Sequence, residues 1–177
     1  MEIKGTGFIL RTWRLQDAEP LQQHADSKNI SDFLLDRFPS PYTLTDALFF
    51  INLKLNESPV TNFAIVIDDV VSGVIGIDMR EDIYRKTPLL GYWLSEKHHN
   101  KGIITEAVKL VTQYAFTNLD IICIQAKALG TNQASMRVLE KAGYVKQGIL
   151  EKSVIKNNTV FDEHVYAAYP DNVKQKA

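Results

Sequence analysis

The segment Lys97-His98-His99-Asn100-Lys101-Gly102 places Lys97, His99 and Lys101, all able to carry positive charge, and one glycine directly before a stretch of helical spacing. Such a segment offers anion binding, because the first turn of a helix presents backbone N–H groups without helical partners at the positive end of its dipole. A phosphate group is the ligand such a loop would take; the alternative is an ordinary strand-loop-helix connection that binds nothing. The Gly-x-x-x-x-Gly-Lys-Ser/Thr and Gly-x-Gly-x-x-Gly spacings are both absent, which disfavours the two common nucleotide folds. Side chains of adjacent residues such as His98 and His99 diverge on an extended loop, and no carboxylate or cysteine cluster completes a ligand set, so no metal is expected. Asn132 precedes a helical pattern as an N-cap would, with Ser135 in its first turn and Gly143 at the C′ position. Tyr144, after that glycine, reads as a core aromatic.

The elements that hold these residues follow from periodicity. Leu89 to Leu94 is an apolar run with two aromatics, read as a buried strand, and from Ile103 the apolar positions Ala107, Leu110, Val111 and Tyr114 fall at helical spacing. Ahead of them, a strand opens at Phe8 and continues through Trp13. A helix then starts with Asp17 as N-cap and Pro20 in its first turn. Asn29 to Leu35 forms a short helical segment, and Thr43 with Asp46 makes a capping-box start for a helix whose Leu44, Ala47, Leu48, Ile51 and Leu55 line one face. Phe63 to Ile67 and Val70 to Met79 form a hairpin around Asp68-Asp69. Ile121 to Leu129 returns beside the Leu89 to Leu94 strand in a βαβ unit. A helix over residues 132–143 and a hairpin of Val145 to Val154 with Val160 to Ala168 complete the chain; Asp171 to Ala177 reads as a frayed polar tail.

With 177 residues the chain reads as one domain, 1–177, large enough to bury about 70% of its unfolded surface without staples. Its 20 basic and 21 acidic residues leave a formal charge of −1, so no global field collects nucleic acid or an anionic membrane. The one cysteine, Cys123, lies in an apolar run and reads as a buried thiol. No apolar run approaches the ~20 residues of a membrane helix, and the first residues lack a signal-peptide core. A cytoplasmic protein is expected.

Three local sequences sit in order on this framework: Gly91-Tyr92-Trp93-Leu94, then Gly102-Ile103-Ile104-Thr105-Glu106-Ala107, then residues 132–144, which begin Asn132-Gln133-Ala134-Ser135 and end Ala142-Gly143-Tyr144. Together they resemble the GNAT superfamily of acetyl-CoA-dependent N-acyltransferases. Within it the likeness is to the Rim-type branch, which acetylates protein N-terminal amines and various small amines. The resemblance runs from Phe8 to Tyr169. It implies an α/β (α+β) fold with a mixed, mostly antiparallel central sheet of about seven strands, splayed at a central parallel pair and flanked by helices.

The resemblance further implies that His99-Asn100-Lys101-Gly102-Ile103-Ile104, with Thr105, wraps the pyrophosphate of coenzyme A. Trp93 and Leu94 would pair with the pantetheine arm, as would the Asn132 side chain. Ser135 would lie near the thioester sulfur and protonate the departing thiolate, with Tyr144 as the rival donor. His99, Asn100 and Ile104 depart from the family's loop pattern. The carboxylate often found before the Gly-Tyr-Trp element is replaced by Pro88, Leu89 and Leu90, leaving Asp78, Glu81 or an ordered water as base. The acceptor site would be built from Asn29 to Tyr42 and Lys156 to His164, with Tyr42, Tyr84, Asp162 and His164 as candidates. The expected activity is N-acetyl transfer from acetyl-CoA to a primary amine, a protein N-terminus or a small molecule, by a monomer or homodimer engaging neither nucleic acid nor membrane. The alternative is a catalytically silent acyl-CoA-binding regulatory protein. A nucleotide or RNA binder is disfavoured by the near-neutral charge and the lack of a basic aromatic patch.

Overall fold

The computed structural model describes residues 1–170; the expected tail lies outside them. Hydrogen-bonded strand neighbours run in the order β1-β2-β3-β4-β5-β6-β8-β7, all pairings with an assigned register being antiparallel except β5 with β6. The strands are β1 Glu2–Gly5, β2 Phe8–Arg11, β3 Asn62–Ile67, β4 Val70–Asp78, β5 Leu89–Leu94, β6 Ile124–Leu129, β7 Val145–Lys156 and β8 Thr159–Ala168. The helices are α1 Ala18–Ala25, α2 Lys28–Ser31, α3 Leu44–Lys54, α4 Ile103–Asn118 and α5 Gln133–Lys141. Among the described residues the sheet has eight strands, where about seven were expected. The chain resolves into two compact units, Met1–Gly76 with Tyr92–Ala107, and Ile77–Gly91 with Val108–Ala177.

In the first unit, the added strand is β1, which pairs with β2 across a turn at Gly7, φ 75°. Its alternation of exposed Glu2 and Lys4 with half-buried Ile3 and Gly5 is too polar to announce a strand. β2 ends at Arg11, short of the expected Trp13, whose buried indole N–H donates to Asn62 Oδ1 at 2.9 Å. Asp17 occupies the N-cap position of α1 but makes no cap with its side chain. Its carboxylate accepts from Arg11 Nη1 and Nη2, both at 2.7 Å, and from the Arg14 N–H at 2.8 Å. Pro20, at the third position of α1, has no N–H for a cap to accept, and buried Arg11, 5% exposed, needs the carboxylate as its counter-charge. The capping box of α3 forms in both directions, Thr43 N–H to Asp46 Oδ2 at 2.8 Å and Asp46 N–H to Thr43 Oγ1 at 3.3 Å. Ala47 and Ile51 of α3 are fully buried, whereas Leu44 and Leu48 stay exposed, so the buried face is narrower than expected. Asp68 and Asp69 turn β3 into β4 with φ 47° and 63°, the two left-handed positions of a type I′ hairpin. Trp13, Leu21, Tyr42, Ile51, Val66 and Val74 are among the residues that close this core.

In the second unit, β5 and β6 pair in parallel through Leu89↔Gln125 and Leu90↔Ala126. β6 begins at Ile124 because the Ile122 N–H bonds the Lys86 carbonyl instead of a strand. Cys123 is buried and free. Val108, Val111 and Ala115 of α4 are fully buried, which the helical spacing requires. Arg80 gathers the start of this unit, donating to the Thr87 carbonyl and hydroxyl and to Gln125, with its guanidinium 4.7 Å from the Tyr84 ring centroid. The β7–β8 hairpin turns at Asn157 and Asn158, φ 49° and 59°.

Candidate functional site

The first unit carries Trp93, Leu94 and the whole loop from His99 to Thr105 on one continuous segment. Leu94 and Ser95 are buried, and the Ser95 N–H donates to the Ser72 carbonyl at 2.7 Å. A Cβ at Gly73 would stand 2.6 Å from the Trp93 carbonyl oxygen, so only glycine permits this approach. A 3-10 turn, Glu96–His98, follows β5. The His99 ring then folds back, its Nε2–H donating to the Leu94 carbonyl at 2.8 Å. Asn100 and Gly102 adopt φ 61° and 79°, and with these two left-handed residues the chain enters α4. Asparagine and glycine are the residues that take this conformation at least cost.

The first α4 bond is Glu106 N–H to the Gly102 carbonyl, 3.1 Å, so the N–H groups of Ile103, Ile104 and Thr105 precede the helical ladder. Glu106, the acidic residue of that first turn, has its carboxylate engaged by the Thr6 N–H at 3.0 Å and Thr6 Oγ1 at 3.1 Å. Lys97 and Lys101 bring positive charge to the loop, with the Glu96 and Glu106 carboxylates on either side of it. Burial, then the Lys101 ammonium and, more weakly, Lys97, push His98 below its ordinary pKa against the pull of Asp68. Burial, then Lys97 and His98, lower His24 likewise. Both imidazoles therefore favour the neutral form at pH 7, and Lys97, Lys101 and the helix end supply positive charge. Backbone N–H donors behind a left-handed turn, with ammonium groups nearby, suit phosphate oxygens.

The second unit brings Asn132 and Ser135 together. Asn132 Oδ1 accepts the Ser135 N–H at 3.0 Å, the predicted N-cap of α5. Gly143 has φ 93° past the end of that helix, and the Tyr144 N–H returns to the Leu139 carbonyl at 3.0 Å. Tyr144 is 3% exposed, with its hydroxyl 2.8 Å from Oγ1 of buried Thr112. Asp78 is the exposed last residue of β4. Of the acceptor-side candidates in this unit, Asp162 accepts the Lys152 N–H at 2.8 Å and Tyr84 is 54% exposed. His164 has a buried Nδ1 without a hydrogen-bond partner. In the first unit, Tyr42 is buried and stacked on Phe38, centroids 4.9 Å apart; burial and then the Asp46 charge push it up to about 12.

Reading the sequence missed Glu96, whose carboxylate accepts from Ser27 Oγ at 2.6 Å and Asn29 Nδ2 at 2.9 Å. A contact across 69 and 67 positions leaves no local signature. Among the described residues no group of three or more His, Cys, Asp or Glu could hold a metal ion, and no helix is long and apolar enough to cross a membrane.

The family model that matches this chain describes an acetyltransferase (GNAT) domain and covers residues 8–145. A probable N-acetyltransferase of Bacillus subtilis (strain 168), YjcK, is 49% identical over 79 residues, 45% of this chain and 43% of that protein, so the match spans under half of that relative's length. An uncharacterized N-acetyltransferase of Bacillus licheniformis, p20, is 26% identical over 163 residues, 90% of this chain and 91% of that protein. A solved RimL, a ribosomal L7/L12 α-N-protein acetyltransferase in complex with coenzyme A, has a similar fold, with TM-score 0.85 and 21% identity over 97% of this chain and 99% of that one. The chain belongs to the GNAT acetyltransferase family, which makes it an acyltransferase that draws on acetyl-CoA.

Proposed function

We propose that residues 1–177 act as one cytoplasmic acetyltransferase domain that moves the acetyl group of acetyl-CoA onto a primary amine, with a protein N-terminus as the leading acceptor. Direct attack within a ternary complex is part of this reading. The observation that carries it is the run of N–H groups at Ile103, Ile104 and Thr105 behind left-handed Asn100 and Gly102, a diphosphate cradle in donor type and charge. The RimL of similar fold, an α-N-protein acetyltransferase, supports a protein N-terminus as acceptor.

Acetyl-CoA supplies an activated thioester; the chain supplies position and protons. The amides of residues 100–105 hold the diphosphate, and the Lys101 ammonium adds charge. Trp93 and Leu94 align the pantetheine arm; with the Leu94 carbonyl engaged by His99, that alignment falls to their other backbone groups. His99 thus acts by shaping the loop. The Asn132 amide, while its oxygen caps α5, offers its nitrogen to the same arm. Ser135 gives the proton to the leaving sulfur. Tyr144 is the weaker candidate for that role, since its buried hydroxyl already engages Thr112. A thiol of pKa about 8.5 needs only modest help to leave. Asp78 or an ordered water takes the amine proton.

Labelled acetyl-CoA incubated with small amines, peptides and ribosomal proteins tests this reading. Gly102→Glu, which sets a carboxylate in the cradle, serves as control. Transfer well above that control is expected, and none above it refutes the reading. Coenzyme A binding without transfer to any amine would instead identify a silent acyl-CoA-binding protein, the alternative favoured by Pro88, Leu89 and Leu90 where a carboxylate is common.

A further inference from the structure

We propose that Glu96 is a positioning residue coupling the anion loop to the segment formed by residues 27–42, so that filling the loop orders that segment. Glu96 opens the 3-10 turn between β5 and the loop. Each of its oxygens takes one donor from the α1–α2 junction, Oε1 from Ser27 Oγ at 2.6 Å and Oε2 from Asn29 Nδ2 at 2.9 Å. Those two bonds, Ser27 first, then Asn29, with a smaller contribution from His99, hold the Glu96 carboxyl below the usual range. A carboxylate beside an anion site weakens that site by like-charge repulsion. Its presence there is explained by the tie it makes.

The same segment touches β5 on the other side of the turn. Phe38 packs edge-on against Trp93 with centroids 6.2 Å apart and stacks on Tyr42 at 4.9 Å. The Tyr42 N–H donates to Asp26 Oδ1 at 2.9 Å, which closes the segment at its base. From Glu96 the connection continues to the loop, with the His99 N–H on the Glu96 carbonyl at 3.2 Å and the His99 ring on the Leu94 carbonyl at 2.8 Å. Residues 27–42 are therefore fastened at two points to the segment that carries Trp93, Leu94 and the loop. Reciprocity requires that whatever the loop gains from an ordered segment, the segment gains from an occupied loop.

This coupling rests on the loop being the coenzyme A diphosphate site. Amide hydrogen exchange on the full chain, with and without coenzyme A, tests both claims separately. In the wild type, coenzyme A should slow exchange in residues 96–105 and also in 27–42. In Glu96→Ala, slowing at 96–105 should persist while that at 27–42 disappears. Glu96→Gln, which keeps one acceptor oxygen, should restore part of it. The variant carrying Ser27→Ala and Asn29→Ala, which keeps the Glu96 charge and removes only the tie, should likewise lose the slowing at 27–42 and should bind coenzyme A about 5-fold or more weakly. Wild-type slowing confined to 96–105, or an unchanged pattern in Glu96→Ala, overturns the coupling. Slowing nowhere in the wild type overturns the diphosphate site, and the coupling with it.

Discussion

Replacing Gly102 with alanine tests whether backbone conformation, and not side-chain space, makes the loop. Gly102 sits at φ 79° with no atom within 4 Å of where a Cβ would be, so alanine meets no clash. What it meets is the left-handed region, which costs a residue bearing a Cβ roughly 1–2 kcal/mol. That cost must surface somewhere. If the loop keeps its shape, stability falls, and at about 2–4 °C per kcal/mol for a chain of this size the midpoint drops by about 2–8 °C. If the loop relaxes, the amides of Ile103 to Thr105 lose their common aim, and the same cost appears as about 5- to 30-fold weaker coenzyme A binding. Thermal unfolding and titration calorimetry with coenzyme A, run on the same preparations, measure the two shares. Gly102→Asn should recover more than half of the loss, because asparagine tolerates this region, as Asn100 does at φ 61°. Alanine indistinguishable from wild type in both measurements would refute the reasoning. So would asparagine worse than alanine, which would make bulk the constraint.

Asp17→Asn should be far more damaging, since it leaves the Arg11 guanidinium buried without its counter-charge; a loss of about 3–5 kcal/mol in chemical denaturation is expected, largely recovered by Arg11→Met with Asp17→Leu. Tyr144→Phe should cost about 1–3 kcal/mol by stranding the buried Thr112 hydroxyl while leaving kcat within a few-fold of wild type; a collapse of kcat at unchanged stability would restore Tyr144 as the proton donor. The Tyr42 phenol, at about 12 when folded against 10.0 unfolded, should contribute stability that is fully present below pH 10 and lost as pH rises toward 12. Tyr42→Phe should flatten that alkaline decline in stability measured against pH.

Much of this was legible because it is local. The Thr43–Asp46 box, the Asp68-Asp69 turn, the Asn132 cap and the change of period across residues 89–118 are each encoded within a few positions, and each stands in the structure. The position of Gly102 just before the first turn of α4 followed from the same kind of reasoning. What escaped depends on partners distant in sequence or on competition between them. β1 is a strand only because β2 lies ready to pair with it. Asp17 serves Arg11 instead of α1 because a buried guanidinium needs a counter-charge and Pro20 offers no N–H to cap. Leu44 and Leu48 are exposed because helical spacing defines an apolar stripe without saying how wide a face its neighbours will cover. Glu96 reads as one more loop carboxylate until Ser27 and Asn29 are found beside it.

β7 ends the strand order, is twelve residues long, and shows Val145, Ile149, Leu150 and Ile155 to solvent. A flat ribbon of that composition would be a template for cross-β growth, one molecule's border annealing to the next. Here the ladder with β8 slips twice, between Lys146 and Gly148 and between Leu150 and Val154, and Lys146, Lys152 and Lys156 punctuate the length. Irregular pleating and repeated ammonium groups make this border a poor seed for fibrils, and smoothing either away would expose the hazard.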